Sequence, residues 1–259
     1  MRRLLILLVA AVPLFAQDAA YEKILFPIIV PLDQPIPGAL GTRWATDVAV
    51  LNRSSEPVPL YGSYVCLMCR QPEPLAPGVT YEYVANQSTT GTFLFVDRAK
   101  ADRVAFELRV RNLAGDEQGT DIPVVRERDF RADGVSLLHV PLSAESRILL
   151  RVYALHHAPG ATIRVRTYQQ NIGVPGPGNR TPDALLGESV HTFASGEVPP
   201  FDPELFASYV HIGTLPVGNT TPDRVRIDVL PLSPAGLRLW AFVTVTHNRT
   251  QSVSVIAPR

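Results

Sequence analysis

Short runs in which apolar and polar residues alternate recur along the chain, and they limit the folds open to it. The clearest run is residues 104–111, where every second residue is large and apolar, a period that puts one face of a strand in a core. Further runs predict strands at residues 46–51, 58–66, 79–84, 92–96, 148–155, 161–168, 224–230, 237–247 and 252–256. No stretch of useful length has helical spacing, and the 24 prolines disfavour helices. The pattern predicts an all-β protein.

The start of the chain has the features of a cleavable export signal. Arg2 and Arg3 precede an apolar run at residues 4–12, and Ala16 supplies the small residue that signal peptidase requires. The apolar run is well short of the roughly 20 residues of a membrane-spanning helix. We therefore expect residues 1–16 to be removed and the mature protein to be exported, to the periplasm or the extracellular space, without a transmembrane anchor.

The mature length favours two domains. About 240 residues would remain, which is long for one β-sandwich of ~100 residues and suits two. The polar, charge-rich stretch at residues 126–134 separates two sets of about seven predicted strands, the number in an immunoglobulin-like sandwich. We expect tandem antiparallel, immunoglobulin-like β-sandwiches at residues 17–130 and 131–259. One continuous, larger sandwich is the alternative.

Two stretches resemble segments of a group of known proteins. Residues 41–52, followed by Ser-Glu-Pro-Val at 55–58, resemble the opening of immunoglobulin-like modules in exported proteins of soil bacteria. The closing residues 239–250 place an aromatic-rich strand before an Asn-centred turn and are similar to the last hairpin of such chains. This group of bacterial proteins has no assigned activity, so the resemblance implies fold and export only.

Charge and composition exclude some classes of function. The formal net charge is +0, whereas a nucleic-acid partner requires a basic surface. The sequence has no phosphate-cradling glycine loop and no G-x-S-x-G nucleophile motif, so we expect neither a cofactor nor a catalytic residue. The six histidines are scattered apart from His156 and His157, which adjoin in a predicted turn. A metal site would need His191 and His211, or carboxylates, to cluster in space.

Cys66 and Cys69 form the one motif with chemical specificity of its own. In an oxidising compartment, a C-x-x-C pair predicts a local disulfide. Redox catalysis would need a helix after the first cysteine, and a zinc site would need further ligands. These two readings are the alternatives.

Planar aromatic side chains on strands suggest a ligand for an exported β-protein. Trp44, Tyr81 and Tyr83 are candidates for stacking on sugar rings, and Tyr81 and Tyr83 share a strand face by parity. Tyr61 and Tyr64 are further candidates. The sequence predicts a non-enzymatic binding or structural module of the envelope or extracellular space, whose envelope, polysaccharide or protein partner contacts irregular segments such as residues 169–187. The alternatives are a carbohydrate-binding sandwich, a periplasmic pilus-type chaperone and a secreted metal-dependent hydrolase. Residues 47–64 resemble the early hairpin of such chaperones.

Overall fold

The computed structural model describes residues 20–62, 73–82, 89–115, 119–170, 182–194, 207–219 and 222–258. These residues form seventeen strands in four antiparallel sheets, which confirms the all-β class. The helical elements among them are 3₁₀ turns at Ala39–Gly41, Ala101–Arg103 and Glu127–Asp129. Within the described ranges, no helix is both long and apolar enough to span a bilayer. The predicted signal peptide, residues 1–16, lies outside them.

Nine strands before residue 130 form two sheets. They are β1 (Tyr21–Phe26), β2 (Ile36–Pro37), β3 (Arg43–Asn52), β4 (Leu60–Gly62), β5 (Thr80–Glu82), β6 (Thr92–Asp97), β7 (Val104–Asn112), β8 (Thr120–Asp121) and β9 (Val125–Arg126). Sheet I has the order β4-β6-β1-β9, and sheet II has the order β2-β3-β7-β8 with β5 also paired to β3. Apolar residues of both sheets share one buried core, as in a β-sandwich.

Eight strands after residue 130 form the other two sheets. They are β10 (Val135–Pro141), β11 (Ser146–Ala154), β12 (Thr162–Gln169), β13 (Ala184–Thr192), β14 (Tyr209–Ile212), β15 (Arg224–Ser233), β16 (Leu239–His247) and β17 (Val253–Ile256). Sheet III has the order β14-β11-β16-β17, and sheet IV has the order β10-β15-β12-β13. A second buried core lies between them.

Alternation along β16 shows that sheet III is buried on both faces. Leu239, Ala241 and Val243 are fully buried in the second-half core, whereas Trp240 and Phe242 belong to the first-half core. Successive side chains of a strand point to opposite faces. Sheet III therefore packs against sheet IV with one face and against the first half with the other.

Tyr153 on β11 lies at this contact between the halves. Its side chain is fully buried, and its hydroxyl donates a hydrogen bond to the Pro27 carbonyl oxygen at 2.9 Å. The ring stacks on Phe242 with centroids 6.3 Å apart. Burial of one large apolar side chain contributes about 1.5–3 kcal/mol, so this contact stabilises the packing of one half on the other.

The charged stretch that follows β9 is also fixed to both halves. Arg238 donates from Nη2 to the carbonyl oxygens of Glu127 at 2.8 Å and Phe130 at 3.2 Å. The Phe130 side chain is only 2% exposed, and Arg131 pairs with Leu239 through two backbone hydrogen bonds. Every strand pairing among the described residues joins strands of one half. The division into domains 17–130 and 131–259 stays a prediction, and the connector between them makes hydrogen bonds to Arg238 and Leu239 of the second half.

Candidate functional site

The structure describes only some of the residues singled out from the sequence. Cys66, Cys69 and Tyr83 lie outside the described residues, so the disulfide stays a prediction. Trp44 is half-buried at the start of β3, while the backbone of Tyr81 on β5 pairs with Val50 near the other end of that strand. Six residues of strand span about 20 Å, so the backbone positions of Trp44 and Tyr81 lie far apart along β3.

A pair of tyrosines that the sequence did not single out as a pair meets on sheet I. The rings of Tyr21 and Tyr61 make an edge-to-face contact with centroids 5.1 Å apart. Partial burial, a side-chain hydrogen bond to Tyr21 and the nearby Asp97 raise the pKa of Tyr61, so its hydroxyl keeps its proton. Tyr21 lies opposite Asp97 in the register of β1 and β6.

An open pocket of about 510 Å³ adjoins this pair. It is lined by Ala20, Tyr21, Asp97, Arg98 and Ala99. Its polar groups are held in place, because Asp97 Oδ1 accepts the backbone N–H of Ala99 at 2.9 Å, and Arg98 Nη2 donates to the Tyr21 carbonyl oxygen at 2.7 Å. The pocket thus brings Tyr21 together with a fixed carboxylate and a fixed guanidinium.

The outer face of sheet IV is a second candidate surface. Strand register places three rows of side chains across it. These are Val190–Arg164–Leu230, then Glu188–Arg166–Asp228–Ser136, then Leu185–Tyr168–Arg226. Val190 is 57% exposed and Leu185 is 52% exposed, and the exposed Leu138 and Leu232 lie on β10 and β15 of the same sheet. Half of the eight large exposed apolar side chains described thus belong to sheet IV.

The charged groups of this face pair with one another. Arg166 Nε donates to Glu188 Oε2 at 3.1 Å. Arg226 binds Asp183 Oδ2 at 2.6 Å and Asp228 Oδ2 at 3.2 Å, and its guanidinium carbon lies 4.1 Å from the centre of the Tyr168 ring. Arg166 and Arg226 are therefore fixed by carboxylates of neighbouring residues on the same face.

The outer face of sheet II, in the first half, differs from that of sheet IV in its exposed side chains. Its charges form pairs between Arg109 and Glu107 at 2.9 Å, Arg109 and Asp121 at 2.8 Å, and Arg111 and Asp47 at 3.1 Å. Strands β3, β7 and β8, all of whose residues are described, contribute no large exposed apolar side chain. Paired surface charges of this kind are typical of a solvated face.

Two histidines have structural surroundings. His211 lies 3.4 Å from an Arg151 nitrogen and packs on the Tyr209 ring with centroids 4.7 Å apart. Burial, followed by the charge of Arg151, lowers the pKa of His211 to about 3. His191 Nε2 lies 2.8 Å from Ser189 Oγ, and burial lowers its pKa.

Neither histidine belongs to a recognisable catalytic or metal centre in the part of the chain that the structure describes. A nucleophile-base-acid arrangement would need a carboxylate to orient His191, and no such hydrogen bond is present among the described residues. The same residues contain no group of three metal-ligating side chains. The alternative of a metal site that contains His191 and His211 therefore gains no support from the described residues.

Comparison with known proteins identifies no family. No protein-family model matches the chain, and neither curated proteins nor solved structures give a significant match. The resemblance to exported immunoglobulin-like modules stays a prediction. The sheet IV face was missed from the sequence because β13, which supplies Leu185 and Val190, was not recognised as a strand. The alternation of Arg164, Arg166 and Tyr168 along β12 is the signal from which an exposed face could have been predicted.

Proposed function

We propose that the protein is a non-enzymatic, exported binding module of the envelope or extracellular space that docks a partner protein on the outer face of sheet IV. The observation that carries this proposal is the contrast between the outer faces of sheets IV and II. Single exposed apolar residues are common on protein surfaces. Their grouping on one sheet favours an interaction surface, since the described strands β3, β7 and β8 of sheet II contribute no large exposed apolar side chain.

The composition of the face favours a protein as the partner. Arginine and aromatic residues are enriched in the buried centres of protein interfaces. On this face Arg164, Arg166 and Tyr168 of β12 lie between Arg226 and Leu230 of β15 and Leu185 and Val190 of the edge strand β13. Nucleic acid would require a net positive surface. Here the three arginines are balanced by Asp183, Glu188 and Asp228.

The same pairing favours binding over catalysis. A general base or nucleophile must offer a lone pair to a substrate, whereas Glu188 and Asp228 accept hydrogen bonds from Arg166 and Arg226. Side chains fixed in this way lose little conformational entropy on association. Charge pairs prearranged on a surface also select between partners, because a poorly matched partner leaves them desolvated and unpaired.

An immunoglobulin-like arrangement of the second half is part of the proposal. Counting from β10, the second strand pairs with the fifth and the third with the sixth, as in the constant-type sandwich. However, β10 pairs with β15, and β16 pairs with β11, which the constant-type order lacks. Export, the predicted cleavage after Ala16 and the predicted Cys66–Cys69 disulfide belong to the same proposal.

Site-specific photocrosslinking in the native host tests the docking surface. A photoreactive amino acid at position 190 should give a discrete crosslinked protein in the envelope or secreted fraction, and the same group at position 107 on sheet II should not. Val190→Asp should abolish copurification of that protein, while Leu113→Asp, which changes another exposed apolar residue, should preserve it. Equal crosslinking from both positions, or capture unaffected by Val190→Asp, would contradict the proposal.

A further inference from the structure

We infer that the pocket beside Tyr21 and Tyr61 binds an uncharged pyranose ring of a saccharide. This inference is independent of partner docking on sheet IV, because β1, β4 and β6 belong to sheet I. The aromatic residues of this proposed sugar site are Tyr21 and Tyr61, whereas the sequence had suggested Trp44, Tyr81 and Tyr83.

Size and shape form the first step. The volume of about 510 Å³ lies within the ~300–1,000 Å³ usual for small-molecule sites. Tyr21 lines one side, and its ring is kept in orientation by an edge-to-face contact with Tyr61, so the tyrosines need no ordering when a ligand binds. An aromatic ring supplies a flat apolar surface with a polar tip, which suits the C–H face of a sugar ring and its hydroxyl rim.

The polar groups form the second step. The Ala99 N–H bond fixes Asp97 through Oδ1, and Oδ2 accepts no further hydrogen bond among the described residues. A carboxylate oxygen accepts hydrogen bonds and cannot donate them, so it is suited to adjacent sugar hydroxyls. Arg98 lines the same side of the pocket, and its side chain is 43% exposed.

Charge forms the third step and excludes other ligand classes. The Arg98 guanidinium also pairs with Glu127 at 2.9 Å, so its charge is largely balanced and a phosphate or uronate would meet the Asp97 carboxylate as well. A cation would meet Arg98 beside a single carboxylate, far from the several oxygen ligands that Ca²⁺ or Mg²⁺ requires. A neutral polyol with an apolar face avoids both penalties and can donate hydroxyl hydrogen bonds to Asp97.

Ligand-observed and protein-observed NMR on the mature protein test the inference. The probes are methyl β-glucoside, methyl β-galactoside and methyl α-mannoside, with methyl glucuronide as the anionic comparison and 3-fluorotyrosine as the reporter in the protein. We expect at least one neutral glycoside to bind and to shift the Tyr21 and Tyr61 fluorine signals. Asp97→Asn, which keeps Oδ1 for the Ala99 N–H, and Tyr61→Leu should each weaken binding at least tenfold.

Control variants separate this site from the docking face. Tyr168→Leu and Val190→Asp on sheet IV should leave glycoside binding unchanged, whatever they do to partner capture. Circular dichroism confirms folding, and if Tyr61→Leu fails to fold, Asp97→Asn alone decides. Binding of none of the three neutral glycosides at ~10 mM, tighter binding of the glucuronide, or unchanged affinity in Asp97→Asn would overturn the inference, since 10 mM corresponds to only about 2.7 kcal/mol of affinity.

Discussion

Glycine is required at position 91 because the backbone there passes against the ring of Tyr153. Gly91 has φ +94°, and a Cβ at this position would lie 2.8 Å from Tyr153 Cε1 and 3.2 Å from Leu25 Cδ1. Gly160 has φ +81° with no atom within 4 Å of the same construction. Both positions have a positive φ, which is unfavourable for alanine. They differ in the room available for a Cβ, which is absent at Gly91 and present at Gly160.

Replacing each glycine by alanine should separate these two effects. Gly160→Ala should lower the free energy of unfolding by about 1–2 kcal/mol from the left-handed backbone alone. Gly91→Ala should lower the free energy of unfolding by about 1–3 kcal/mol more than Gly160→Ala does, since overpacking displaces Tyr153 from its buried position. Urea denaturation of both variants measures the difference, and equal losses would show that Tyr153 does not pack against residue 91.

Burial of His211 should make the protein less stable in mild acid. Its folded-state pKa of about 3 lies below the ordinary value of 6.5, so the unfolded chain takes up this proton first as the pH falls. The contribution to stability is complete above pH 6.5 and is lost progressively toward pH 3. Arg151, Tyr153 and Tyr209 are the charged and titratable groups that face the ring.

A substitution at this position should flatten the pH dependence. In His211→Gln, the melting temperature should fall less between pH 6.5 and 4.5 than in the wild-type protein, because no imidazole is protonated on unfolding. Tyr209→Phe keeps the ring that packs on His211 and should retain the wild-type slope. Parallel slopes for the wild type and His211→Gln would mean that His211 is not protected from protonation.

The strands that could be predicted from the sequence are those with one face in a core and the other face in solvent. The predicted strand at 104–111 matches β7, and 224–230 lies within β15, because each alternates between a core and solvent. Strand β1 was missed, since both of its faces are covered and its two charged residues are buried as well. Glu22 is 5% exposed and pairs with Arg126, and Lys23 is 2% exposed and lies 3.4 Å from His156.

Strand β13 was missed for a different reason, and with it the sheet IV face. Residues 169–187 read as an irregular segment, yet 184–187 open β13. Gly187 in this strand weakens the strand pattern, and it is glycine because a Cβ would lie 2.7 Å from the Pro216 carbonyl oxygen. The pairing of Tyr21 with Tyr61 was equally invisible, because it depends on two strands that both pair with β6.

The connector between the halves should resist proteolysis until the contacts of Arg238 are lost. Its arginines suggest trypsin sites, but the Arg238 side chain binds the backbone at Glu127 and Phe130, and cleavage requires local opening. Arg238→Gln should speed cleavage after Arg126, Arg128 or Arg131 several-fold at temperatures where the fold is intact. Arg249→Gln, which changes an arginine that is 81% exposed, is the matched control. Rapid cleavage after Arg126, Arg128 or Arg131 in the wild-type protein would show that the connector is an open linker instead.

For the molecule as a whole, the contact through sheet III predicts that both halves unfold together. Tyr153, Trp240 and Phe242 come from the second half but are buried in the first-half core, so unfolding either half exposes apolar surface of the other. Calorimetry of the mature protein should therefore show one transition whose calorimetric and van't Hoff enthalpies agree. Independent domains at 17–130 and 131–259 would give two.

Substitutions on the two faces of β16 should then separate stability from coupling. Val243→Ala removes two methyl groups from the second-half core. It should lower the free energy of unfolding by about 1–3 kcal/mol, and the protein should still unfold in a single transition. Phe242→Ala combined with Tyr153→Ala removes two stacked rings from the contact between the halves and should resolve two transitions, because each sandwich keeps its own pair of sheets. One transition in this double variant would mean that the halves are coupled through the connector and edge contacts, such as the Thr120 hydroxyl bond to the Val253 carbonyl oxygen at 2.7 Å, rather than through the aromatic face of sheet III.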